Sequence, residues 1–186
     1  MSVYAIGLQV IIDGKTLVFT DVQTIAWFST YVQQAAEVGI INGYEDAHGN
    51  LTGKFGPAND ITLAETLKIA VGGAGYDSQL YGSLVDSGMK EHWASAYFSV
   101  AKAEQFAFLK ERKRIDRPAT RAEVASIFVS AFRVDLSTAT TVDTRYTDVH
   151  FTTTFAQEIE ALSRDGVVAG DTDIHGQATG TFRPTE

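Results

Sequence analysis

Three aspartates, Asp21, Asp86 and Asp148, each stand just after a bulky residue in a similar phrase, and one arginine, Arg121, follows Thr120 where a helix is set to begin. Paired carboxylates are the groups of acid/base and glycosidic chemistry, but such chemistry needs two of them facing one bond. Three aspartates recurring at intervals of roughly 60 residues mark modular repeats and occupy equivalent places, so no catalytic role is expected for them. Each is placed to cap a helix or fix a turn. Arg121 is different. A cation in the first turn of a helix gains nothing from the dipole, and its guanidinium suits a two-pronged contact with a carboxylate or phosphate, the alternative being a surface ion pair.

Other candidate chemistry is weaker. The run from Asp171 to Gly176 opens like a calcium loop, but Phe182 stands where the closing bidentate Glu belongs. His48, His92, His150 and His175 form no i, i+4 pair that would hold a metal on one helix face. The Gly72 to Gly75 run follows a helix where a phosphate cradle would follow a strand. Neither a metal nor a cofactor is expected.

The elements that position these residues come from the repeat. Phe19-Thr20-Asp21-Val22 returns as Tyr146-Thr147-Asp148-Val149, and more loosely as Leu84-Val85-Asp86. Gly39-Ile40-Ile41-Asn42-Gly43-Tyr44 follows the first phrase at the same distance at which Gly166-Val167-Val168-Ala169-Gly170-Asp171 follows the third. Asp13-Gly14 between apolar runs predicts a hairpin turn in a leader over 1–18. Ile25, Phe28, Val32 and Ala35 predict a first helix from Thr24 to Val38, with Phe151, Phe155, Ile159 and Leu162 as its counterpart. On this reading Trp27 and Trp93 lie on core stripes, which leaves Tyr44 as the better stacking face. Thr62 to Glu65 and Thr120 to Glu123 are capping boxes that open second helices.

The chain has 186 residues and is 45% hydrophobic, enough for a packed core. Its formal net charge of −8 argues against a nucleic-acid partner. Cysteine is absent, which excludes disulfides and leaves the compartment open. No apolar run is long enough to span a bilayer, so no membrane insertion is expected. The opening residues carry no secretion signal, and the chain is read as a fragment of a secreted protein whose signal lies elsewhere.

The ordered combination resembles the S-layer homology family. Its opening aromatic-x-Asp appears as Phe19-Thr20-Asp21, its Gly-Ile-Ile-x-Gly-Tyr turn at Gly39 to Tyr44, its Phe-x-Pro at Phe55 to Pro57, and its Thr-Arg-Ala-Glu at Thr120 to Glu123. The resemblance covers residues 19–186 and implies an all-α domain of three helix-loop-helix repeats in pseudo-threefold arrangement, behind the hairpin or extended leader. The repeats are 19–76, 77–141 and 142–186, the third lacking its second helix. It further implies noncatalytic anchoring at the cell surface or cell wall, by binding a wall polysaccharide, acidic or pyruvylated, in grooves between repeats. Arg121, Gly43, Tyr44, Gly170, Asp171, Arg183 and Asp86 are the expected ligand contacts. Unit one has Leu63 in place of the motif's Arg, and unit two lacks the glycine turn. These departures support the alternative, a protein-binding or self-assembly module whose partners include other surface-layer proteins.

Overall fold

The computed structural model describes residues 7–84, 92–111, 114–137, 139 and 145–186. Among them are a two-stranded antiparallel sheet, β1 (Gly7–Ile12) and β2 (Lys15–Gln23), and five α-helices: α1 (Ser29–Glu37), α2 (Leu63–Gly73), α3 (Ser95–Ala103), α4 (Arg121–Phe132) and α5 (Ala156–Arg164). The chain forms two compact units, Met1–Asp60 and Ile61–Glu186.

The hairpin forms where Asp13-Gly14 predicts it. Both turn residues have positive φ, 49° and 73°, the geometry whose twist matches two paired strands. The strands run past the expected leader, however, so that Phe19, Thr20 and Asp21 lie on β2. Alternation then sends Leu8, Val10 and Ile12 of β1 into a core with Phe19 and Val22 of β2 and Val32 and Ala36 of α1. The all-α, pseudo-threefold expectation is therefore corrected to a mixed α and β chain. The hairpin supplies five of the seven buried residues of the first unit's core, because α1 alone has too small an apolar face to bury.

The first helix is also shorter than the spacing predicted. Residues 24–28 are successive turns, and α1 begins at Ser29, whose hydroxyl donates to the Thr24 carbonyl at 2.9 Å. Similar turns precede α5, where Phe155 sits in the left-handed region at φ 61°. Ile25, Trp27 and Phe151 consequently face solvent. Trp27 is 84% exposed and Trp93 55%, which corrects their expected place in the core.

In the second unit α4 is the central helix. Ile127 and Ala131 pack on Leu63, Leu67 and Val71 of α2 and on Val100 of α3. Ala122, Ala125 and Val129 pack on Tyr146, Val149, Ile159, Leu162 and Phe182. A helix buried on two faces must be apolar nearly all round, as this one is. Leu63, which stands in place of the motif's Arg, is fully buried. Both capping boxes are formed: Thr62 accepts from the Glu65 amide at 3.2 Å and Thr120 from the Glu123 amide at 3.3 Å, and each Glu accepts in return from its Thr backbone N–H.

Candidate functional site

Residues 19–59 align without a gap on 146–186, and the two segments repeat one geometry. Asp21 accepts from the amides of Phe55 and Gly56, and Asp148 from those of Phe182 and Arg183, in each case 34 and 35 residues downstream. Partial burial works to raise both carboxyl pKa values, but the amide hydrogen bonds outweigh it and hold both below the usual carboxylate range. The aromatic two residues earlier packs on the clamped Phe. Phe19 and Phe55 have centroids 5.7 Å apart, Tyr146 and Phe182 5.3 Å. These aspartates thus fix a distant turn, one of the two local roles their position suggested.

Gly43 and Gly170 lie where that turn crosses back. A Cβ on Gly43 would stand 2.5 Å from the Lys54 carbonyl and 2.7 Å from the Phe19 ring; on Gly170 it would stand 2.5 Å from the Thr181 carbonyl and 2.6 Å from the Tyr146 ring. The space beside each glycine is filled by the chain itself. The residue after each differs. Tyr44 lays its ring against Gly56 and its hydroxyl accepts from Asn59 at 3.2 Å. At the matching place Asp171 binds Arg183 through Nε and, at 2.9 Å, Nη2. This hydrogen bond is the main reason the Asp171 carboxyl lies below its usual range, with the Arg121 charge adding to it. Arg183 in turn donates to Glu186, and its pKa is raised chiefly by Asp171.

Arg121 ties α4 to this segment. Its Nε donates to the Phe182 carbonyl at 2.6 Å, its Nη2 to the Ala169 carbonyl at 3.2 Å, and its guanidinium lies 4.6 Å above the Phe182 ring. Among the described residues Nη1 has no hydrogen-bond partner and remains available.

Between the start of α4 and the 146–186 segment lies a groove of about 520 Å³. Thr120 and Glu123 form one wall, Thr153, Thr154 and Phe155 another, and Arg183 to Glu186 a third, with Asp148 between. Each of its carboxylates is engaged: Asp148 by two amides, Glu186 by Arg183, and buried Glu123 by Arg117 through both oxygens. The groove therefore offers hydroxyls, one aromatic face and carboxylates that are each hydrogen-bonded within the chain.

Of the expected site residues only Arg183 lines this groove; Asp171 is bound to it, and Arg121 is tied to the Ala169 and Phe182 carbonyls on either side of Gly170 and Asp171. Gly43 and Tyr44 belong to the first unit. Asp86 lies outside the described residues. Sequence reasoning missed Arg117, Thr153, Thr154 and Phe155. Arg117 carried a signal, since it precedes Pro118 as Arg183 precedes Pro184; the others sit in a stretch read as helix.

Residues 18–67 match the family model of the S-layer homology domain. The chain is also similar to the middle cell wall protein of Brevibacillus brevis, 27% identical over 118 residues. That alignment takes in 63% of the chain and 10% of the relative's length.

Proposed function

Because this chain carries an S-layer homology domain, we propose that it is a noncatalytic anchoring module of the bacterial cell surface that holds a cell-wall polysaccharide in the groove beside α4. The observation that carries this reading is the groove's lining. Four threonine hydroxyls can exchange hydrogen bonds with sugar hydroxyls, and the Phe155 ring offers an apolar face of the kind that polar sites use to orient a ligand. Arg183 on the wall, which Asp171 and Glu186 hold in place, supplies the cation for an acidic or pyruvylated substituent. Glu123 is offset by Arg117 and Glu186 shares Arg183 with Asp171, while Asp148 is held by amides alone, so an acidic sugar must be met by local rather than net charge on a chain that is acidic as a whole.

The name of the Brevibacillus relative, a cell wall protein, supports a cell-surface location. Among the described residues no helix is long and apolar enough to cross a membrane.

The test is sedimentation of the purified chain with bacterial sacculi, before and after chemical removal of the wall polysaccharide. Pelleting that requires the polysaccharide, weakens with added salt and falls in Arg183→Ala supports the reading. Pelleting unaffected by removal overturns it.

A second reading, assembly through protein contacts, is favoured by exposed Ile25, Trp27, Tyr31 and Val38 in the first unit, an amount of apolar side chain that commonly marks an interaction surface. Loss of glycan-dependent pelleting in a folded chain that still self-associates would select it.

A further inference from the structure

The chain has three asparagines, and the fold treats one of them differently. Asn50 turns its side-chain amide onto the two oxygens of Asp46, at 3.3 and 3.0 Å, and Asn59 donates its own to the Tyr44 hydroxyl at 3.2 Å. The Asn42 side-chain amide meets no partner among the described residues. The backbone beside it is equally open. Ile41 is pinned by its N–H to the Ala35 carbonyl at 3.3 Å and Tyr44 by its N–H to the Lys54 carbonyl at 2.8 Å, but among the described residues the amides of Asn42 and Gly43 between them donate to nothing. Most backbone amides of a folded chain are paired, so two open ones in succession set this step apart. Both residues are half-buried, which leaves the step within reach of water.

An asparagine followed by glycine holds a nucleophile beside its own side-chain carbonyl. Gly43 has no Cβ to shield its nitrogen, and attack on Cγ of Asn42 closes a succinimide ring within one chain, where proximity replaces a bimolecular encounter. We propose that Asn42 is a site of spontaneous deamidation in the folded protein. The Gly43 nitrogen gives its proton to water and bonds to Cγ, while the Cγ–Nδ2 bond breaks and that nitrogen leaves as ammonia. Water then opens the ring. Cleavage between Cγ and the Gly43 nitrogen gives aspartate; cleavage between that nitrogen and the Asn42 backbone carbonyl carbon gives isoaspartate, whose main chain runs through the former side chain.

The isoaspartate product lengthens the main chain directly before Gly43, where even a Cβ would stand 2.5 Å from the Lys54 carbonyl and 2.7 Å from the Phe19 ring. A backbone seated that closely has no room to shift, so the Tyr44 amide must leave the Lys54 carbonyl. The matching step, Ala169-Gly170, has no side-chain amide and cannot react. The change therefore belongs to the first repeat alone, and it runs one way because ammonia is lost.

Incubation of the intact, folded chain in neutral buffer, followed by peptide mass spectrometry with fragmentation that separates aspartate from isoaspartate, tests the proposal. Asn42 is expected to convert about tenfold or more faster than Asn50 and Asn59, a barrier difference of about 1.4 kcal/mol. Asn42→Ala, which copies the matching Ala169, should abolish the mass change. Amide exchange should show Tyr44 losing protection in the isoaspartate chain and keeping it in Asn42→Asp, which carries the charge without the longer backbone. A folded chain whose Asn42 stays intact through an incubation that converts it in urea, conversion of Asn50 or Asn59 first, or a mass change that persists in Asn42→Ala would each overturn the site. Equal protection of Tyr44 in the isoaspartate chain and in Asn42→Asp would overturn its effect on the turn.

Discussion

The hydroxyl of Tyr146 lies 3.0 Å from the hydroxyl of Ser163, and both are buried. In the matching segment the two places are held by Phe19 and Ala36, which are also buried and carry no side-chain oxygen. One segment has both hydroxyls and the other has neither, as expected where an unpartnered buried hydroxyl is costly and a satisfied pair is nearly neutral. Ser163→Ala is expected to cost about 1–3 kcal/mol in urea denaturation by stranding the Tyr146 hydroxyl. The double variant Tyr146→Phe/Ser163→Ala should recover most of that loss, and strictly additive costs would refute the pairing.

Arg183 has φ 55°, whereas the matching Gly56 has φ 74°. A side chain in that region costs about 1–2 kcal/mol, and the exposed, solvent-screened ion pair with Asp171 returns little of it. Arg183→Gly is therefore expected to leave thermal stability unchanged or slightly raised while glycan-dependent pelleting falls. A large loss of stability would show that the arginine serves the fold first.

Asp21 and Asp148 both have folded pKa values below their unfolded ones. The sign follows from that direction. Their contribution is fully present above the unfolded value of about 4 and is lost as pH falls through the depressed folded values. Stability measured by denaturant titration should decline as pH falls below about 4, and the decline should be shallower in Asp148→Asn. An equal slope in the variant would mean that other carboxylates dominate acid unfolding.

The two capping boxes are expected to differ in weight. Thr62→Ala and Thr120→Ala should each cost about 1 kcal/mol. Glu123 also holds Arg117 through both oxygens and is buried, whereas the Gly56-Pro57 step of the first segment offers no such cation. Glu123→Ala should then cost clearly more than Glu65→Ala in parallel denaturant titrations. Equal costs would reduce the arginine to a bystander.

Local signals carried through from sequence to structure. Asp13-Gly14 marked the hairpin turn, and the Thr-x-x-Glu spacing marked both helix starts. What failed were inferences that a nonlocal contact overrides. Ile25 and Trp27 sit at helical spacing, but the turns before Ser29 break the helix and turn both outward. Nothing in Phe155 announces a left-handed backbone. The Asp148 carboxylate binds amides 34 and 35 residues away, a partnership whose only trace is that Asp21 and Phe55 stand equally far apart. Of the groove, only Arg183 stood among the expected contacts; Thr153, Thr154 and Phe155 were hidden in a stretch read as helix. That Arg121 spends two of its nitrogens on carbonyls was not legible either, because backbone acceptors leave no mark in a sequence.

Helix starts in the second unit depend on chain made later. The first-turn amides of α2 at Leu63 and Ala64 donate to the carbonyls of Arg117 and Ile115, and those of α4 at Arg121 and Ala122 donate to Glu186 and Pro184. Orphan donors at a helix start must find acceptors somewhere, and here the acceptors leave the ribosome roughly 50 to 65 residues afterwards, on the order of several seconds at ordinary synthesis rates. Neither helix can complete its own beginning. During synthesis each waits, frayed at its first turn, for the later loop that closes it.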